Sequence, residues 1–461
     1  MSINMKMNIN KMWILWIVIT IIAAVMLGYK LFAAEDKSVF LPGQTSHGHY
    51  QIEMACVACH KESFTDKENI QEACVSCHGQ ELKAVDDSHP KSKFTDPRNA
   101  DRVAKLDARY CVTCHGEHKP EITGLMGVTV QEDICIVCHQ DIADDRPSHK
   151  EMSFLTCSSS GCHNFHDNRA LYEDFLLKHA DEENTFKQPA NKIRNFTARI
   201  SALHSYPLKE YPLIELQVQD KDMPDNIEPD QKIVDEWAGT AHAKSGVNCS
   251  ACHNVVNNDG SVNWKKKPSE KACVACHESE VTGFIESKHG MRIKQNLTPM
   301  IPAKARIKMK SSAHESELSC VSCHSSHEFD TRRASIDACL KCHDDKHSLA
   351  YKDSKHFNLS YKEITKGQNK NASVTCATCH FPRNKKQFSN GSKHVVVQHN
   401  QNDNLRPNEK MIRSVCMNCH GLEFSIDSLA DKELIDKNFT GQPSVHIKSI
   451  DMAKQRVKNK R

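Results

Sequence analysis

The chain has 461 residues, with 61 Lys and Arg against 58 Asp and Glu and a formal net charge of +3, so it lacks the strongly basic character that nucleic-acid binding requires. Only 39% of residues are hydrophobic and 6% aromatic, with a mean hydropathy of −0.58, too little apolar surface for a conventional core at this length. Gly and Pro, 17 and 16 residues, are too few for the low hydrophobicity to signal disorder.

In chain order, the first predicted element is an apolar span. Met12 to Tyr29 run without a charge between Lys11 and Lys30, just long enough to cross the hydrocarbon core of a bilayer. Lys6 and Lys11 lie on its N-terminal side, and Trp13 and Trp16 suit an interfacial position. The positive-inside preference puts the N-terminus in the cytoplasm and everything after Lys30 outside. Residues 1–34 therefore read as a cytoplasmic stub and single-pass anchor in the inner membrane. A cleaved signal peptide is the rival, and it fits less well. Cleavage after Ala34 or Ala33 would leave Phe32 or Leu31 where a small residue belongs. Either way the rest of the chain faces the periplasm.

Beyond the anchor, Cys-x-x-Cys-His occurs ten times and Cys-x4-Cys-His once, together using all 22 cysteines. The first block, 35–180, holds Cys56, Cys59 and His60; Cys74, Cys77 and His78; Cys111, Cys114 and His115; Cys135, Cys138 and His139; and the wider Cys157, Cys162 and His163. The second block, 237–440, holds Cys249, Cys252 and His253; Cys273, Cys276 and His277; Cys320, Cys323 and His324; Cys339, Cys342 and His343; Cys376, Cys379 and His380; and Cys416, Cys419 and His420. Residues i and i+3 share one face of a helical turn, and i+4 lies beside them. One turn can thus present both thiols to the haem vinyl groups and swing the imidazole under the iron. This is the attachment signature of c-type haem, with the His as proximal iron ligand. Zinc sites pair Cys-x-x-Cys units without requiring a His after each, and a disulfide framework leaves the histidines unexplained.

Eleven covalent haems would leave about 42 residues for each, so the porphyrins should supply much of the core. The expected fold is mainly α with much irregular structure and little β, a haem-packed multihaem arrangement that should not form without its cofactor. Val103–Tyr110 and Asn168–Lys178 have helical spacing. Residues 181–236 contain no Cys and read as a connector packed on the haem blocks, a disordered linker being the alternative. Within it, Leu213 to Val218 alternates well enough for one short strand. The 441–461 tail, with Lys454, Arg456, Lys458, Lys460 and Arg461, reads as a solvated basic end, or else an electrostatic dock for a partner.

Seventeen of the 28 histidines lie outside the motifs, enough to close the sixth position of every iron. Recurring contexts single out eleven candidate distal ligands. His49, His149, His242 and His314 sit six to eight residues before a motif; His118, His166 and His327 sit three after a proximal His; and His89, His289, His356 and His394 follow Ser or Ser-Lys. His47, His179, His347, His399 and His446 rank below these, and His204, which lies in the connector, ranks last. Two imidazoles saturate the iron, which then passes electrons and does no bond chemistry.

These motifs resemble the multihaem c-type cytochromes. The first block is similar to class III cytochromes. The second, from Trp237 to about Asn438, resembles the octahaem hydroxylamine oxidoreductase and tetrathionate reductase-like group in Ala241-His242, Glu286 to Met291, Val374 to His380 and Arg413 to Gly421. Departures weigh against oxidative hydroxylamine chemistry: no Tyr follows Tyr361 to tether a porphyrin, and Lys346 precedes His347 where that group has Asp. The resemblance implies electron relay between a quinol-oxidising donor at the inner membrane and a periplasmic or outer-membrane acceptor, and it hints at a homo-oligomer. The other reading is a reductase of a small nitrogen or sulfur oxyanion. There His343 would carry a five-coordinate haem, and His347, Lys346 and Arg292 would stabilise the anion.

Overall fold

The computed structural model describes residues 9–61, 66–124, 128–129, 134–146, 149–150, 165–167, 171–184, 192, 194–366, 373–405 and 409–460. Helix α1 (Ile9–Phe32) is the apolar span. At 1.5 Å per residue its 24 residues reach roughly 36 Å, and its large apolar side chains all lie exposed. It is long and apolar enough to cross a membrane.

The described chain divides into two compact units. One gathers Met1–Ser76 with Tyr110–Val130, the other Cys77–Arg109 with Gln131–Arg461. These units do not follow the blocks read from the motifs, since residues 131–180, the connector and the second block share one unit.

Within the first unit, polar contacts do the tying that apolar side chains cannot. Glu117 accepts from the Ser46 backbone at 2.6 Å and from its hydroxyl at 2.8 Å, and its carboxylate meets His49 Nδ1 at 2.7 Å. The Cys111 backbone donates to Gln71 Oε1 at 2.8 Å. Gln71 lies on α2 (Lys67–Ala84), which carries the Cys74 motif.

The second unit is built from short helices and loops. A modest apolar core joins Leu171, Leu176 and Ala180, on or beside α3 (Glu173–His179), to Met411, Ile412, Leu422, Ile426, Leu429, Ile450 and Ala453. Here the structure departs from the expected solvated tail. Residues Ser449–Lys460 form a helix, and Ile450 and Ala453, three apart on one face, are buried. Lys454 pairs with Asp181 at 2.8 Å, and Arg456 pairs with Glu173. Lys454, Arg456 and Lys458 lie on this helix outside its buried Ile450–Ala453 face.

The connector also differs from expectation. Leu213 to Gln217 forms no strand; Leu216 N instead bonds the Ala243 carbonyl at 2.9 Å, beside the small cluster of Val234, Trp237 and Ala243. The connector contributes helices α4 (Phe196–Leu203) and α5 (Gln231–Ala238). The strands lie elsewhere, in two antiparallel hairpins: β1 (Asn254–Val256) with β2 (Val262–Trp264), and β3 (Arg383–Gln387) with β4 (Lys393–Val397). Of the expected helices, Val103–Tyr110 is helical only to Lys105; Asn168 to Ala170 lie outside the described residues, and the rest of that stretch is helical from Glu173.

His446 clamps the tail, meeting Asp427 at 3.1 Å and Asp451 at 2.8 Å. The hydrogen bonds to Asp451 and Asp427 lift its pKa from 6.5 to about 9. A group raised above its unfolded value stabilises fully below that value and loses its effect as pH rises through the folded one. Amide exchange in Ser449–Lys460, corrected for intrinsic rate, should therefore accelerate between pH 6.5 and about 9. His446→Gln should abolish that acceleration.

Candidate functional site

Ten of the eleven motifs lie in described residues; Cys157, Cys162 and His163 lie outside them. The described motifs form one tight turn. The proximal His N–H closes onto the carbonyl of the first Cys at 2.8–2.9 Å in His60, His115, His139, His343 and His420. Local capping holds several of these turns: Thr375 and Thr378 bond reciprocally before His380, and Ser319 and Ser322 before His324. Both thiols and the imidazole thus leave one short rigid element together.

Across from the motif imidazoles stand others. His89 and His139 have ring centroids 6.2 Å apart, His242 and His277 6.1 Å, and His253 and His327 6.0 Å. His289 and His343 are 6.4 Å apart, His324 and His399 6.4 Å, His347 and His380 6.1 Å, and His356 and His420 6.2 Å. A metal–nitrogen bond of roughly 2.0 Å on each side, plus about 1.2 Å from nitrogen to ring centre, sets two coordinating imidazoles roughly 6.4 Å apart. Ordinary aromatic contacts also span 4.5–7 Å, but they have no reason to choose partners this way. Every one of these seven pairs joins one motif His to one His outside the motifs. All six proximal histidines of the second block are included.

The ring orientations agree with coordination through Nε2. His253 donates from Nδ1 to the Lys265 carbonyl at 2.6 Å, His347 to Ile435 at 2.5 Å and His399 to Val397 at 3.0 Å; His89 donates to Phe165. A donated Nδ1–H fixes the tautomer and turns Nε2 toward a metal. Burial pushes His277, His289, His324, His356 and His380 down to about 4, so each is the neutral imidazole that iron binds. The residues fit c-type haem, which supplies a one-electron couple at its iron when bound.

The motif thiols show how the sites follow one another. In the second block Cys252 lies within electrostatic reach of Cys273 and Cys276, Cys273 hydrogen-bonds Cys320, and Cys323 is near Cys339 and Cys342. Cys339 then hydrogen-bonds Cys376, and Cys379 is near Cys416 and Cys419. Spatial order repeats chain order. The first unit repeats the contact, with Cys74 bonded to Cys111 and near Cys59.

Of the distal candidates, His89, His242, His289, His327 and His356 face a motif imidazole. His49 is held by Glu117, His118 Nδ1 donates to the Gly43 carbonyl at 2.8 Å, and His166 meets Asp87 at 3.2 Å. His149 closes a turn onto the Arg146 carbonyl at 2.8 Å. His314 and His394 face no second imidazole among the described residues; His394 lies on β4 with Phe388 5.9 Å away.

Sequence context passed over His347 and His399, which stand opposite His380 and His324. His347 follows a motif by four residues and His399 leaves a hairpin, and neither setting recurs. The side chains named for anion reduction are not gathered either. His289 faces His343, His347 faces His380, and Lys346 is exposed. The Arg292 guanidinium is buried and donates to the Thr298 carbonyl at 2.7 Å and hydroxyl at 3.0 Å.

Residues 48–140 and 241–332 each match the family model described as cytochrome c3. This double match supports a multihaem c-type cytochrome with covalently bound haem and a role in electron transfer. Nothing matches the chain among curated proteins or among solved structures. The two stretches correspond in detail: His49 and His242 each lie seven residues before a motif, and His118 and His327 each lie three after one. Both of the latter take positive φ, 62° and 67°. His89–His139 in the first copy resembles His289–His343, whose His343 lies just beyond the second.

Replacing His399 by Ala should convert one low-spin ferric haem to a high-spin form that binds carbon monoxide when reduced. His204→Ala, in the connector, should leave the spectrum unchanged.

Proposed function

We propose that this protein is a membrane-anchored periplasmic cytochrome that carries eleven c-type haems and relays electrons along them in a respiratory chain. One observation carries the reading: every proximal His of the second block has a second imidazole at coordinating distance, in sites that succeed one another along the chain. An iron saturated by two imidazoles can give and take electrons but offers no position to a substrate. By correspondence between the two copies, His118 serves the His60 haem as His327 serves that of His253.

In this reading α1 is an uncleaved anchor, and the donor is a quinol-oxidising protein at the inner membrane. The acceptor is a periplasmic or outer-membrane redox protein. Haem propionates make the docking surface more acidic than the sequence suggests, so long-range steering should weaken as salt rises. The likeness of the second block to the octahaem oxidoreductases is one of haem scaffold, not of chemistry.

Electron paramagnetic resonance of the air-oxidised holoprotein should show almost wholly low-spin ferric iron, unperturbed by nitrite, hydroxylamine or sulfite. A substantial high-spin signal that shifts with any of them would make the protein a reductase. Exchanging residues 1–34 for a cleavable export signal should release the haem-loaded protein from membrane to soluble periplasm.

A further inference from the structure

The connector brings an unbalanced cluster of charge to two of these sites. Arg199, on α4, is 2% exposed. Its terminal nitrogens are taken: Nη1 donates to Glu280 Oε1 at 2.7 Å and Nη2 to Oε2 at 3.1 Å. Arg194 stands 3.7 Å from the same carboxylate, and Arg383, bonded to the Lys192 carbonyl at 3.1 Å, lies within electrostatic reach of Arg194. Arg194 and Arg199 thus share one acid. Glu280, held down to about 2 against its own burial chiefly by Arg199, is ionised, and one positive charge remains in excess. The Nε–H groups of Arg194 and Arg199 are both buried with no acceptor. An unpaired buried donor on a cation is costly. The arrangement calls for an anion.

Its position says which anion. Both guanidiniums lie over the Phe196 ring, 5.1 Å and 4.7 Å from its centroid, and Phe196 stacks on His277 at 4.7 Å. Arg194 also reaches His324 and His399 electrostatically. These are the two sites whose Cys273 and Cys320 thiols touch. Thioether attachment uses the vinyl groups of a haem and leaves its two propionates free. We infer that Arg194 and Arg199 form a cationic cradle for a haem propionate at the His277 or the neighbouring His324 site, and that the excess positive charge makes this haem an electron sink within the second block. Reduction lowers the positive charge on iron, and nearby cations favour it. This rests on the haem reading above.

The test is potentiometry on the full haem-loaded protein, monitored by electron paramagnetic resonance. Arg194→Gln should lower one midpoint by at least tenfold in the reduction equilibrium, about 59 mV for a one-electron couple. Arg194→Lys, which keeps the charge, should recover most of the shift. The shift should persist at high salt, because the charges are buried.

The imidazole planes separate the two sources. They cross at 86° at His277 and 39° at His324. A shift confined to the large-g signal of crossed imidazoles assigns the cradle to His277, and one in the rhombic class of near-parallel imidazoles assigns it to His324. Midpoints unchanged in Arg194→Gln, with full covalent haem and low-spin spectra, would overturn the cradle and leave the conduit standing. Missing haem or a dominant high-spin signal in the unmodified protein would instead remove the haem reading itself.

Discussion

The organising contact in this molecule is an imidazole facing an imidazole at the separation that one iron between them would set. Each proximal His is delivered by a turn of four or five residues that cannot supply its own counterpart, because the counterpart must come from the opposite side of the porphyrin. The opposing His therefore comes from elsewhere in the chain. His253 finds His327 beyond the next two motifs, and His324 finds His399 beyond the next two. With so little apolar side chain to bury, these crossings and the porphyrins between them take the place of a core. The one substantial apolar cluster, around Leu176, Leu422 and Ile450, closes the far end of the second unit.

The same constraint explains why His-x-x-His is misleading when read locally. His327 lies three residues from His324, and such a short link cannot straddle a porphyrin. Its positive φ of 67° turns it away toward His253. His118 has the same conformation at the corresponding place in the first copy, φ 62°, so the turn is a property of the repeat.

Residues between the haem blocks gain a role from this geometry. A chain that winds around cofactors must also neutralise them, and the motif turns carry few cations of their own. Arg194 and Arg199 come from the connector and meet at Glu280, beside Phe196 and His277. The 181–236 stretch thus packs its charge against the second block rather than merely spacing two blocks.

The sequence by itself determined the attachment chemistry, because Cys-x-x-Cys-His is complete within one turn and needs no distant residue. It also marked the apolar α1, the scarcity of strand and several distal histidines whose surroundings recur. Only the tertiary structure decided which imidazole meets which, because that choice depends on chain crossings up to 75 residues apart and on which side of a porphyrin each segment passes. It alone selected His347 and His399, paired Cys339 with Cys376, folded the basic tail as a helix against Asp181 and Glu173, and set two arginines on Glu280. Local spacing fixes how a haem is held from one side, while long-range packing fixes what lies on the other.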